Sequence, residues 1–357
     1  MRKLIFAVVA LIAVGTCGVL VAGRESAPRA PDAASEAMTQ AVNVIAISAV
    51  DVSVAPDAAC VDEVSCLRQY YQTLAWQVGP AEALATLGQQ SDLNPLLAKA
   101  CHDTTHAIGE IAARMKPISD AMLLGDQRCG SGYYHGIIAT TTIMVEPEAL
   151  HQVLIDGCSV GDNGSFSRWE CFHGVGHGYT FVANGKILEA IASCGEIAND
   201  LDRAPCASGA FMQELVDHGK DAMYAADPYV TCKEVTDPVS AHQCYDMLAN
   251  IVVQHRNTAE LQFAECATAP LAYQEDCYRG LGRSVFSGMP LRGPESEKYC
   301  GAAPQGVARD LCYAGIVENT AAFYGSSKEA STHCVEFSTD ALRKMCATVL
   351  DKQGISS

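Results

Sequence analysis

The sequence predicts an all-α fold, a solenoid of disulfide-stapled helical hairpins of about seven to eight units over residues 58–357. Three observations predict it. The cysteines from residue 158 onward fall into six pairs with 10 to 12 residues between partners. The first members of successive pairs stand 34 to 38 residues apart, the period of helix–turn–helix repeats. Behind the second cysteine of a pair, apolar residues recur at offsets of one, four and eight, with five often joining, which share one helix face.

At the N-terminus, Met1-Arg2-Lys3 precedes an uncharged run from Leu4 to Gly23. A positive start before an apolar run is an export signal, so residues 1–23 read as a signal peptide or a signal anchor. An uncleaved segment 4–23 is long enough to tether the chain to a membrane. Either way the remainder is expected on a periplasmic or extracellular face. Residues 24–57 open with Ala, Pro and Ser and read as a linker.

Four cysteines lie in the first units, and pairing Cys60 with Cys66 and Cys101 with Cys129 is the first expectation among three possibilities. Next come Cys158/Cys171, Cys194/Cys206, Cys232/Cys244, Cys266/Cys277, Cys300/Cys312 and Cys334/Cys346. Each pair is expected to join the end of an outer helix to a second cysteine that opens an inner one. The turns between them include Asp200 to Pro205 and Asp237-Pro238-Val239-Ser240. Phe172, Val175 and Tyr179, then Tyr278, Leu281 and Val285, then Tyr313, Ile316 and Val317, follow the apolar offsets. Glycine recurs three residues after the second cysteine, at Gly132, Gly174, Gly209, Gly280 and Gly315. A helical glycine costs roughly 1 kcal/mol against alanine, so its repetition predicts inner helices in close approach. In period and spacing the chain resembles cysteine-stapled helical repeat proteins related to tetratricopeptide repeats, without their Trp-Leu-Gly-Tyr signature.

Composition narrows the function. The net charge of −17 argues against a nucleic-acid-binding surface and against docking on anionic lipid. Seventeen cysteines predict an oxidising compartment. The helices of the first units concentrate histidine. His102/His106 and His173/His177 are i,i+4 pairs on single helix faces. His135 in Tyr-Tyr-His-Gly matches His177 in Val-Gly-His-Gly, each six residues after its cysteine. Aligning the first unit with a one-residue shift makes His106, His135 and His177 a row across three neighbouring helices. Met212, Asn250, Arg283 and Glu318 continue that row in later units.

Imidazoles from helices about 8–10 Å apart reach a common ion. The expected ligands are therefore His102, His106, His135, His173 and His177. Asp103, Glu110, Tyr133, Tyr134 and Glu214 are additional candidates. With the cysteines oxidised, imidazole donors suit copper, zinc or iron. His-Glu-x-x-His, Gly-x-Ser-x-Gly, a phosphate loop and Cys-x-x-Cys-His are all absent. Two functions follow. The first is an exported metalloprotein, an oxidoreductase or a metal-dependent hydrolase. The second is a rigid helical scaffold that binds a protein or peptide partner in a concave groove.

Overall fold

The computed structural model describes residues 52–53, 60, 64–91, 96–97, 100–125, 128–285, 293–324 and 327–352. The N-terminal segment 4–23 and nearly all of the linker lie outside these residues. Among the described residues there are helices and no strand, and no helix is long and apolar enough to cross a membrane.

The helices are α1 (Val64–Val78), α2 (Pro80–Ser91), α3 (Cys101–Met115), α4 (Ile118–Met122), α5 (Gly132–Met144), α6 (Pro147–Cys158), α7 (Phe166–Val182), α8 (Ile187–Gly195) and α9 (Asp200–His218). They continue as α10 (Ala222–Ala226), α11 (Pro238–Met247), α12 (Ala249–His255), α13 (Ala259–Cys266), α14 (Gln274–Ser284), α15 (Gly293–Gly301), α16 (Val307–Tyr324), α17 (Ser327–Cys334) and α18 (Asp340–Lys352). One row packs in order: α1 on α3, α3 on α5, α5 on α7, α7 on α9, α9 on α11, α11 on α14, α14 on α16 and α16 on α18. The shorter helices lie against this row, α8 between α7 and α9 for example. Farther along the chain, α16 also touches the turn Arg128–Ser131.

All eight expected cysteine pairs are bonded, with Cα–Cα separations of 5.2 to 5.7 Å. They are Cys60–Cys66, Cys101–Cys129, Cys158–Cys171, Cys194–Cys206, Cys232–Cys244, Cys266–Cys277, Cys300–Cys312 and Cys334–Cys346. Cys101–Cys129 differs from the six hairpin staples, because it joins the start of α3 to the turn before α5.

The position of the staples within their helices corrects the sequence reading. The second cysteine does not open its helix. Cys171 lies inside α7, Cys206 inside α9, Cys244 inside α11, Cys277 inside α14, Cys312 inside α16 and Cys346 inside α18. The physical reason is the cap. Ser165 starts α7, Asn199 starts α9 and Asp237 starts α11, each through a side chain that accepts from a backbone amide upstream of the cysteine. The cysteine sits farther in, where its side chain faces the neighbouring helix of the hairpin. The first members fit the expectation better: Cys158 and Cys266 end α6 and α13, Cys334 ends α17, and Cys194 and Cys300 lie in the last turns of α8 and α15. Cys232 departs from it, in a 3₁₀ turn and not at the end of an α-helix.

The expected turns move for the same reason. Asp200 to Pro205 is the beginning of α9, not a turn. Asn199 accepts there from the Leu201 amide at 3.1 Å. Pro205 sits early enough that the carbonyl it cannot satisfy is that of exposed Leu201. Asp237 accepts from the Ser240 amide at 2.8 Å, and Pro238 occupies the first helical position of α11.

The apolar offsets hold: Phe172, Val175, Tyr179, Tyr278, Leu281, Tyr313, Ile316 and Val317 are buried, and Val285 packs against them. So does the expected close approach. A methyl group on Gly136 would collide with the backbone carbonyl of His106, and one on Gly209 with that of His173. Only glycine lets these helix backbones touch.

Candidate metal centre

The five expected histidines come together on three consecutive helices of the row. His102 and His106 are on α3, His135 on α5, and His173 and His177 on α7. Their rings form one continuous cluster, with centroids 4.9 to 5.7 Å apart between His135 and each of the other four. The donor nitrogens divide into two groups of three, His102/His106/His135 and His135/His173/His177, each within 4.8 Å of one another. His135 belongs to both.

Local structure orients these rings. Before α5, Cys129, Gly130 and Ser131 all adopt left-handed backbone, with φ of 59°, 60° and 63°. That turn aims the Cys129 carbonyl at His102 Nδ1, 2.9 Å away. A carbonyl only accepts, so Nδ1 carries the proton and Nε2 offers its lone pair. On the other side, His177 Nδ1 meets Gln213 Oε1 at 3.0 Å. Gln213 in turn donates its Nε2 to both oxygens of Asp217 at 3.0 Å. The amide is therefore oriented with its oxygen toward His177, whose Nε2 is again left with the lone pair. Such outer partners are the usual means of presenting a histidine to a metal.

His177 Nε2 lies 3.3 Å from His173 Nε2. Two nitrogens on one tetrahedral ion at bonds of about 2.0–2.1 Å are about 3.3–3.4 Å apart. His135 Nε2 and His173 Nδ1 are buried with no hydrogen-bond partner among the described residues. A buried polar atom of that kind costs about 1–3 kcal/mol, and an ion at His135 Nε2 would offset its share. The indole of Trp169 stacks on His173 at 5.0 Å with 18° between planes, and its outer part is exposed.

Burial also decides the protonation state. It holds His106, His135 and His173 well below the usual histidine value, and neighbouring imidazoles add to the effect. His177 is pushed down to about 4 by burial, against the opposing hydrogen bond to Gln213. Neutral imidazole is the form that binds a metal.

The charge balance limits occupancy. Both groups consist of imidazole donors alone, with no carboxylate among the described residues. Two divalent ions roughly 4–5 Å apart would repel by about 13–17 kcal/mol at an effective dielectric of about 20. One divalent ion at a time is the arrangement these donors favour.

The additional candidates lie elsewhere. Glu110 is buried and accepts from Arg68 and, at 2.7 Å, from Gln72. Glu214 accepts from the Tyr224 hydroxyl. Tyr133 donates to the Ala121 carbonyl at 2.8 Å, and Tyr134 packs its ring on Tyr133 and Phe166. Asp103 is exposed. None of the five joins either imidazole group. Their types suited a metal, but each carboxylate or hydroxyl group with a described bond is committed to a neighbouring helix or loop.

Sequence reasoning missed Gln213, Asp217 and Trp169. Two signals were available. Gln213 is 36 residues after His177, one repeat step, and Trp169 precedes His173 by four on the same face. Beyond the site the row changes character: Arg283 is bonded to Glu318 at 2.6 Å and to Asp246, so a salt-bridge cluster replaces the imidazoles. Comparison with known protein families, with curated proteins and with solved structures found no match to this chain.

Proposed function

We propose that this protein is an exported metalloprotein that holds a transition-metal ion among His102, His106, His135, His173 and His177, on the inner helices of a disulfide-stapled repeat solenoid. The observation that carries the reading is the pair of three-imidazole groups sharing His135. Eight disulfides support an oxidising, extracytoplasmic location. Imidazole donors suit zinc, copper and iron.

Three protein ligands leave a tetrahedral ion one position for water or another small ligand. With zinc, such a site lowers the pKa of bound water to about 7 and supports hydrolysis. With copper or iron it supports oxidoreduction. The protein side of either chemistry is the same: neutral imidazoles, their orientation by Gln213 and the Cys129 carbonyl, and partial exclusion of water.

The test is elemental analysis of protein purified without chelator, then refilled with copper, zinc and iron in turn. Stoichiometric metal is expected. It should be lost in His135→Ala and His177→Ala, with the disulfides intact, and kept in His242→Ala and His333→Ala. A preparation that takes up no stoichiometric metal from any of the three refills overturns the reading, and the groove-binding scaffold then takes its place.

A further inference from the structure

The two imidazole groups differ in two ways that a single fixed site would not need. The first is access. His102 is exposed, His106, His135 and His177 are partly buried, and His173 is 3% exposed. Solvent therefore reaches the cluster from the His102 side. The second is anchoring. His177 is held through Gln213 and Asp217, all three on regular helix, and His173 is covered by the Trp169 indole. His102 is held by the Cys129 carbonyl, in a left-handed turn that the Cys101–Cys129 disulfide ties to the start of the same helix, and its ring stays exposed. The outer group is thus accessible, and the inner group is enclosed, with His173 under the indole and His177 held from the next helix. Among the described residues neither group has a carboxylate, which disfavours filling both with divalent ions at once.

We infer that the two groups are successive holding positions for one divalent transition-metal ion: the outer group takes the ion from solvent, and the inner group retains it, with His135 bonded throughout. The inference rests on the metal reading above and makes ion capture the task of the site. Transfer is a ligand exchange. The bonds from the ion to His102 and His106 break as bonds to His177 and His173 form. The ion keeps its charge, and no electron moves. Sharing His135 means the ion never passes through a state bonded to water alone, which is the costly intermediate in moving between separate sites.

The test uses cobalt(II) and zinc on the full-length exported protein carrying Trp76→Phe, so that Trp169 is the remaining tryptophan and quenching by cobalt reports the inner group. One equivalent of ion is expected to bind. In His102→Ala, stoichiometry, final quenching and cobalt absorption spectrum should match the parent, while the uptake rate constant falls at least tenfold. In His173→Ala, uptake should stay fast but the dissociation constant should rise at least a hundredfold. If circular dichroism shows that His173→Ala does not fold, Gln213→Leu replaces it, with affinity expected to weaken by about 10–100-fold and uptake unchanged.

Two tightly bound equivalents in the parent overturn the inference. So does His102→Ala with unchanged uptake. Equal loss of affinity in His102→Ala and His173→Ala also overturns it, because the five histidines would then act as one site. No stoichiometric ion in the parent is a different result, and overturns the metal reading itself.

Discussion

At the residue scale, four of the five imidazoles are kept neutral by burial, and this couples folding to pH. His106, His135, His173 and His177 bind protons less readily when folded than the unfolded reference of about 6.5. Between about 4, the value for His177, and 6.5 the unfolded chain therefore holds more protons. Unfolding free energy from these groups rises with pH through that window and is lost on acidification. Glu170 acts in the opposite sense: burial pushes its carboxyl up to about 8, against the Ser131 hydrogen bond. Its contribution is fully present below about 4.5 and declines as pH rises toward 8. Urea unfolding of the metal-free protein separates the two. His177→Gln should flatten the rise in stability between pH 5 and 6.5, and Glu170→Gln should remove a decline between pH 6.5 and 8. An unchanged pH profile in His177→Gln would contradict the neutral, buried state assigned to that ring.

At the element scale, the spacing between α7 and α9 and between α3 and α5 is set by glycine against backbone. The first contact sets how Gln213 meets His177 and the second the distance between the ligand-bearing α3 and α5, so packing and site geometry share one cause. Gly209→Ala would ordinarily favour a helix by roughly 1 kcal/mol. Here its methyl meets the His173 carbonyl, and overpacking costs about 1–3 kcal/mol. Net destabilisation is expected in a denaturant titration, together with weaker metal binding. An exposed glycine with open space around it, such as Gly195, should show no such penalty on the same change. The element boundaries were less legible than the elements. Turn-forming residues such as Asp200, Pro205 and Pro238 are also what a helix N-terminus tolerates, and only the caps at Asn199 and Asp237 resolve the two meanings. Those caps also place Cys206 and Cys244 inside their helices, although the spacing alone put them at the start.

At the scale of the whole molecule, the staples are spread along the row from Cys60 to Cys346, so no region depends on apolar burial alone. A closed loop of about 15 residues is worth roughly 3 kcal/mol of unfolded-state entropy. Several of these rival the ~5–15 kcal/mol total of a typical domain. Reduction with excess dithiothreitol should therefore abolish cooperative thermal unfolding or lower Tm sharply, as followed by circular dichroism at 222 nm. A reduced protein that melts within a few degrees of the oxidised one would show that the staples are secondary to the helix packing.

The sequence by itself determined the helical class, the six hairpin cysteine pairs and which five histidines share a sector. Each follows from periodicity, because side-chain direction along a helix is fixed at 100° per residue and a repeated spacing repeats the geometry. Cys60–Cys66 with Cys101–Cys129 was one of three pairings open to the four remaining cysteines, and the structure chose it. The tertiary structure alone decided that the imidazoles divide into two groups with His135 in common. It also decided that Gln213 and the Cys129 carbonyl orient them, and that Glu110, Glu214 and the two tyrosines serve the core instead. The physical reason is one of precision. Helical periodicity places a side chain to within a sector several ångströms wide. A metal site depends on distances to a few tenths of an ångström, and those are set by how closely glycine lets one backbone approach the next.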